Sequence, residues 1–239
     1  MNSDAAVRAA LKGSWLHPRD GRVVLDEVGL FRGQSRVDLV VISDQLEAYE
    51  IKSDADSLSR LPAQVEAYSR VFERVTLVCA SRHLVRAMMI VPDWWAILEV
   101  GRGDETMFER RREGRDNPEI DTLAVAQLLW RDDALDVLDR YDCAMGLWTV
   151  TRAKIWDALS QHVPADDLLS EARSFFRRRA ALKPALSSAL CGGPCTSGAS
   201  RHSRRVLARV APGHAVWQSD DFRLSASSAR AAEEVSRTR

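Results

Sequence analysis

The feature that most constrains this chain is the run Val37–Ile42, Val-Asp-Leu-Val-Val-Ile. Consecutive β-branched and aliphatic residues with no turn former among them read as a strand covered on both faces. An aspartate inside such a strand needs a partner, because burying a lone carboxylate is expensive. A polar turn at Ser43-Asp44 follows, and then a second strand, Leu46–Lys52, Leu-Glu-Ala-Tyr-Glu-Ile-Lys. A turn that tight makes the two strands antiparallel neighbours, with Asp38 near the far end of the second strand by register. Pro62 suits the first turn of a helix running to about Glu73, on which Val65, Tyr68 and Phe72 share one stripe. Arg74–Ala80 (RVTLVCA) reads as a further buried strand. With a short helix over residues 3–12 and a strand from Val23 towards Phe31, the order is helix, strand, strand, strand, helix, strand. That order predicts an α/β domain with a mixed central sheet flanked by helices.

Beyond residue 100 the pattern changes. Gly101–Glu119 is charged and bears glycine, which suits a hairpin or a linker and no core segment. Ile120 to Leu129, Ile155 to Leu159 after a cap at Thr151, and Leu168 to Phe176 after Pro164 follow helical spacing. From about residue 181 the text becomes Ala, Ser, Arg and Gly-rich with few large apolar residues, so this tail is predicted to be mostly disordered. The expected domains are a core over 1–103, a helical subdomain over 104–180 and a low-complexity tail over 181–239.

Composition excludes more than it selects. The 239 residues carry 34 basic and 34 acidic side chains, and no apolar run approaches membrane-spanning length. The net charge of zero divides into +5 over residues 180–239 (nine Lys+Arg against four Asp+Glu) and −5 over the rest (25 against 30). Bulk charge therefore does not advertise nucleic-acid binding, and any such function must come from a local site. The N-terminus lacks an apolar signal core, and four scattered cysteines suit no disulfide framework, so a cytoplasmic protein without a membrane partner is expected.

The chemistry concentrates on Asp38 and the triplet Glu50-Ile51-Lys52. Glu50 and Lys52 are two apart on a strand and share a face, while Tyr49 and Ile51 take the other and suit a core. Two carboxylates and an ammonium then converge. Mg²⁺ takes oxygen ligands and is commonly held by one or two carboxylates with substrate phosphate. Asp38 and Glu50 can serve, with the Ile51 carbonyl as a third ligand. Lys52 can orient the attacking water, help deprotonate it, or neutralise phosphate. In isolation a Glu-x-Lys triplet is an ordinary surface ion pair; the aspartate in the preceding apolar strand distinguishes this one.

Asp38 followed by Glu50-Ile51-Lys52 resembles the signature of the PD-(D/E)XK nuclease superfamily, with Val37 in place of the proline. Gln64 and Tyr68, one helical turn apart, are similar to the QxxxY motif of the RecB-type branch. The stretch Arg36–Ile97 further resembles a poorly characterised bacterial family in that superfamily, often met in mobile or phage-related contexts. The resemblance implies a restriction-endonuclease-like αβββαβ core, with Asp38 and Glu50 as ligands of Mg²⁺ or Mn²⁺. It makes Lys52 the catalytic lysine and Gln64 and Tyr68 an accessory pair. Glu27 matches an upstream acid used as an additional ligand, or else pairs with Arg22, Arg32 or Arg36. The implied function is a metal-dependent nuclease acting on DNA. The alternatives are a catalytically silent DNA-binding or regulatory protein on the same fold, or a mobile-element component acting through a protein partner or as a homodimer.

Other features point more weakly. Asp54, Asp56, Ser57 and Arg60 suit a turn better than a phosphate cleft. Arg177-Arg178-Arg179 suits either a DNA backbone contact or a solvated helix end. Trp94-Trp95 suits packing better than base stacking. Cys191, Cys195, His202 and His214 lack zinc-site spacing.

Overall fold

A computed structural model describes residues 3–16, 21–101 and 107–190, with Arg32 and residues 182–190 described by backbone alone. Six strands form one open mixed sheet in chain order: β1 (Val23–Leu30), β2 (Ser35–Ile42), β3 (Leu46–Lys52), β4 (Arg74–Ala80), β5 (Ala96–Val100) and β6 (Phe108–Arg112). The joins β1–β2, β2–β3 and β5–β6 are antiparallel, whereas β3–β4 and β4–β5 are parallel. Parallel neighbours need a crossover, and the chain supplies α2 (Leu61–Ser69) for the first and α3 (Leu84–Ile90) for the second. The other helices are α1 (Asp4–Ala10), α4 (Thr122–Ala126), α5 (Arg131–Arg140), α6 (Arg152–His162) and α7 (Ala165–Leu190). The expected α/β class and mixed sheet are both present. Among the described residues no helix is long and apolar enough to cross a membrane.

The turn between β2 and β3 closes as its sequence suggests. The Ser43 amide donates to the Gln45 carbonyl at 3.0 Å, and the Gln45 amide donates to the Ser43 hydroxyl at 3.2 Å. This fixes the register from Ile42↔Leu46 to Leu39↔Tyr49, and Asp38 and Glu50 are the next residues on their strands, where the pairing ends. Helix α2 starts at its proline-bearing turn and ends at Ser69, short of the expected Glu73. There the amides of Val71 and Phe72 both turn back to the Tyr68 carbonyl.

The sheet divides the core in two. On one face Val40, Ile42, Leu46 and Ala48 pack with Tyr68, Phe72 and Trp95, and with residues of α4–α7 such as Leu135, Ile155 and Phe175. On the other, Leu39, Val41, Tyr49 and Ile51 meet Val7 and Leu11 of the N-terminal helical segment. The helices after the sheet therefore share its core, and β6 itself lies past the boundary expected at residue 103. The Gly101 amide donates to the Met107 carbonyl at 2.8 Å, and β6 lies antiparallel on β5.

Helix α7 carries on to Leu190, past the expected end of ordered structure at 180. Its arginines clasp it to the body. Arg173 makes two bonds to the Glu73 carboxylate, and Arg177 donates to the carbonyls of Gly21 and Ser43. Arg178 pairs with Asp133, and Arg179 lies over the Trp130 ring. The three consecutive arginines thus have intramolecular partners. The remaining tail, with Cys191, Cys195, His202 and His214, lies outside the described residues.

Candidate functional site

Glu50 is the centre of a buried hydrogen-bonded cluster. It is 2% exposed and Lys52 is 3% exposed, both on the α2 side of β3. The Lys52 Nζ lies 2.6 Å from Glu50 Oε1, which also accepts from Gln64 Nε2 at 2.5 Å. The Tyr68 hydroxyl lies 2.7 Å from Glu50 Oε2 and 2.7 Å from the Arg36 carbonyl. One phenolic proton serves one of these acceptors at a time. The helical spacing of Gln64 and Tyr68 brings both to the same carboxylate, as expected from the i, i+4 pattern. Tyr68 also packs as its apolar stripe suggests, edge-on to Phe72 at 5.9 Å and stacked on Trp95 at 6.1 Å. Burial, the Glu50 charge and the hydrogen bond to it push the Tyr68 phenol well above its ordinary range. Kept protonated, the hydroxyl donates to one of its two acceptors.

Asp38 forms the wetter half. The β2–β3 pairing ends at Leu39↔Tyr49, and the amide of Ile51 donates to Asp38 Oδ2 at 2.8 Å. Asp38 Oδ1 accepts from Arg8 Nη2 at 3.2 Å, and its carbonyl accepts from Arg8 Nη1 at 3.2 Å. Burial and the nearby charge of Glu50 push the Asp38 carboxyl up to about 6, against the pull of the Ile51 amide and Arg8. The influence of Glu50 on Asp38 is the electrostatic sign that two acids converge.

Glu27 takes the ion-pair alternative. Its carboxylate holds Arg8 at 2.6 Å and Arg36 at 2.7 Å. The residue has a left-handed backbone (φ 53°), unusual for glutamate, and interrupts the β1–β2 pairing between Asp26↔Leu39 and Val28↔Val37. Among the described residues no three Asp, Glu, His or Cys side chains gather as a metal-holding group. A cation at Asp38 and Glu50 would therefore rest on two carboxylates, a carbonyl such as that of Ile51, and water.

That donor set fits a small hard cation, because every available ligand is oxygen. Gln64 Oε1 is a further oxygen in the cluster, buried and without a hydrogen-bond partner among the described residues. The loop after Lys52 is held from outside. Asp56 Oδ2 accepts from the Ser53 amide and hydroxyl at 2.8 and 2.6 Å, and the His83 Nε2 lies 3.1 Å from the Ser53 carbonyl. Asp56 thus plays the turn role, and buried Trp94 and Trp95 pack in the core, as their sequence favoured. Arg8 and His83 are the two site neighbours that sequence reasoning missed. Both reach the centre from residues about thirty positions away, a separation that no local spacing records.

These features define an α/β protein on a six-stranded mixed open sheet, with paired acids and a buried lysine where β2 and β3 part. The chain belongs to the bacteriophage P4 protein cII family, whose sequence model matches residues 6–187. Protein cII of Enterobacteria phage P4 is 27% identical over 131 residues, which cover 53% of this chain and 50% of that protein. The match thus spans about half the length of the curated relative. Among solved structures, a protein of unknown function from Silicibacter pomeroyi is similar with a TM-score of 0.33 and 15% identity, over 61% of this chain and 92% of that one. A likeness that slight bears on neither fold nor function.

Proposed function

We propose that this chain is a divalent-metal-dependent nuclease that hydrolyses phosphodiester bonds in DNA at a PD-(D/E)XK-type centre. The observation that carries the reading is the convergence of Lys52, Gln64 and Tyr68 on Glu50, with Asp38 across the strand pair. Asp38, Glu50 and the Ile51 carbonyl hold Mg²⁺ or Mn²⁺. When bound, the cation supplies an acidified water and positive charge against the transition-state phosphate. Gln64 and Tyr68 fix the Glu50 carboxylate so that it cannot rotate away from the centre. Lys52 holds its ammonium beside that carboxylate, where it orients the attacking water or neutralises a phosphate oxygen. Glu27, neutralised by two arginines, stays out of the ligand set.

A second reading, DNA binding without turnover on the same fold, is favoured by the burial of Glu50 and Lys52 beneath the surface that DNA would touch first. One assay separates the two. The purified full chain is incubated with supercoiled plasmid and single-stranded DNA, with Mn²⁺ or Mg²⁺ and with chelator. The nuclease reading expects metal-dependent cleavage that falls by roughly 10²-fold or more in Asp38→Asn and Lys52→Met. A wild-type protein that binds DNA equally with and without metal, and leaves it intact, overturns that reading in favour of the second.

A further inference from the structure

Arg8 is held against the centre with both terminal nitrogens aimed at oxygen. Its helix is anchored by Val7 and Leu11, both fully buried in the smaller core, so the guanidinium is fixed relative to β1 and β2. Nη1 reaches Glu27 Oε1 at 2.6 Å and the Asp38 carbonyl at 3.2 Å. Nη2 reaches Asp38 Oδ1 at 3.2 Å and Asp4 Oδ2 at 3.1 Å. Asp38 and Glu27 face each other across the β1–β2 pairing, between Asp26↔Leu39 and Val28↔Val37. The planar cation fills the space between them.

Two-metal phosphoryl-transfer centres place ions about 3.5–4 Å apart, and a further acid beside the first pair would help to hold the second ion. Here the acid next in line is Glu27, and it is already committed to Arg8 and Arg36. Charge balance points the same way. Asp4, Asp26, Glu27, Asp38 and Glu50 are linked by ion pairs to Arg8, Lys12, Arg36 and Lys52, leaving one net negative charge. One divalent ion and one phosphodiester charge make the cluster neutral, whereas a second ion leaves it doubly positive.

Resting on the nuclease reading, we infer that Arg8 stands in the place of a second metal ion, so that the centre takes one divalent cation between Asp38 and Glu50. The guanidinium supplies the other positive charge and keeps Asp38 aligned through its carbonyl and Oδ1. A guanidinium does this without the dehydration that a second Mg²⁺ requires.

The test counts bound Mn²⁺ on the full chain by calorimetry and by the electron paramagnetic resonance signal of free Mn²⁺. The wild type takes one ion per chain, with affinity at least about tenfold weaker in Glu50→Gln. Arg8→Met takes a second ion and shows the broadened spectrum of two coupled ions, while Arg8→Lys remains at one. Arg8→Gln carries the same expectation as Arg8→Met should the latter lose the packing of α1, as judged by circular dichroism. Two ions in the wild type, or one in a folded Arg8→Met or Arg8→Gln, overturn the role of Arg8 and leave the nuclease reading standing. No Mn²⁺ on the wild type overturns both.

Discussion

Glu50 and Asp38 sit across one strand pair, yet their surroundings differ in kind. Glu50 is 2% exposed among three side-chain donors, two on its Oε1 and one on its Oε2. Asp38 keeps 19% of its side chain in solvent and is bound by a backbone amide and a single arginine. A buried ion pair with satisfied lone pairs is costly to break, because whichever charge remains has no water to turn to. A partly hydrated carboxylate can exchange partners. On the nuclease reading proposed above, the Glu50 side holds the centre rigid and the Asp38 side admits the cation.

Breaking the closed half carries the largest expected effect. Glu50→Ala leaves Lys52 buried without a counter-charge and removes the carboxylate acceptor of Gln64, while the Tyr68 hydroxyl keeps the Arg36 carbonyl. A loss of about 3–5 kcal/mol is expected, read from the urea midpoint. A Glu50→Ala protein as stable as the wild type would show that the cluster is wetter than its geometry implies.

The open half is best probed by pH. Because the Asp38 carboxyl is raised to about 6 in the folded chain, the fold holds that proton more tightly than the unfolded chain does. Its ionisation therefore opposes folding as pH rises from about 4 to about 6, by at most about 3 kcal/mol. Asp38→Asn should remove that slope, so the gap in unfolding free energy between the two proteins should change between pH 4 and pH 7. Mn²⁺ requires the ionised form, so its affinity should fall about tenfold per pH unit below about 6.

Smaller effects sharpen the contrast. Tyr68→Phe keeps the ring stack and deletes only the hydroxyl bonded to a charged acceptor. About 2 kcal/mol is expected by thermal or urea unfolding. Arg36→Ala removes an exposed partner of Glu27 and should shift stability by less than about 0.5 kcal/mol in the same assay.

The sequence exposed the closed half far better than the open one. Asp38 within Val37–Ile42, a turn at residues 43–45 and the alternation of Leu46–Lys52 set the register that places both acids where the pairing ends. Those are short-range signals of period two and turn chemistry. Residues Gln64 and Tyr68 follow from period 3.6 in the same way. Arg8 has no such mark: its partners lie in β1 and β2, and only packing of α1 on the smaller core brings it there. Nothing in the sequence announces the left-handed Glu27 either, since glutamate carries no preference for that conformation.

Helices α4, α6 and α7 fall where the helical spacing put them, whereas α3 and β6 were hidden for related reasons. Helix α3 leaves Val85 and Met89 at 73% and 83% exposure, so its apolar residues do not mark a buried face. Strand β6, Phe-Glu-Arg-Arg-Arg, reads as a solvated charge run, yet pairing with β5 and the Arg111–Glu99 ion pair make it an edge strand. Charged edges of this sort discourage pairing with other chains. Of the two readings of this charged stretch, hairpin or linker, the antiparallel pairing of β5 with β6 favours the first.

On the proposed reading Asp38 and Glu50 share one metal ion, and anomalous diffraction from a Mn²⁺-soaked crystal of the full chain reads that out directly. One peak within coordination distance of Asp38 and Glu50 is predicted. A fully occupied Mn²⁺ elsewhere, with density at these two carboxylates empty and the Lys52–Glu50 pair undisturbed, would contradict it.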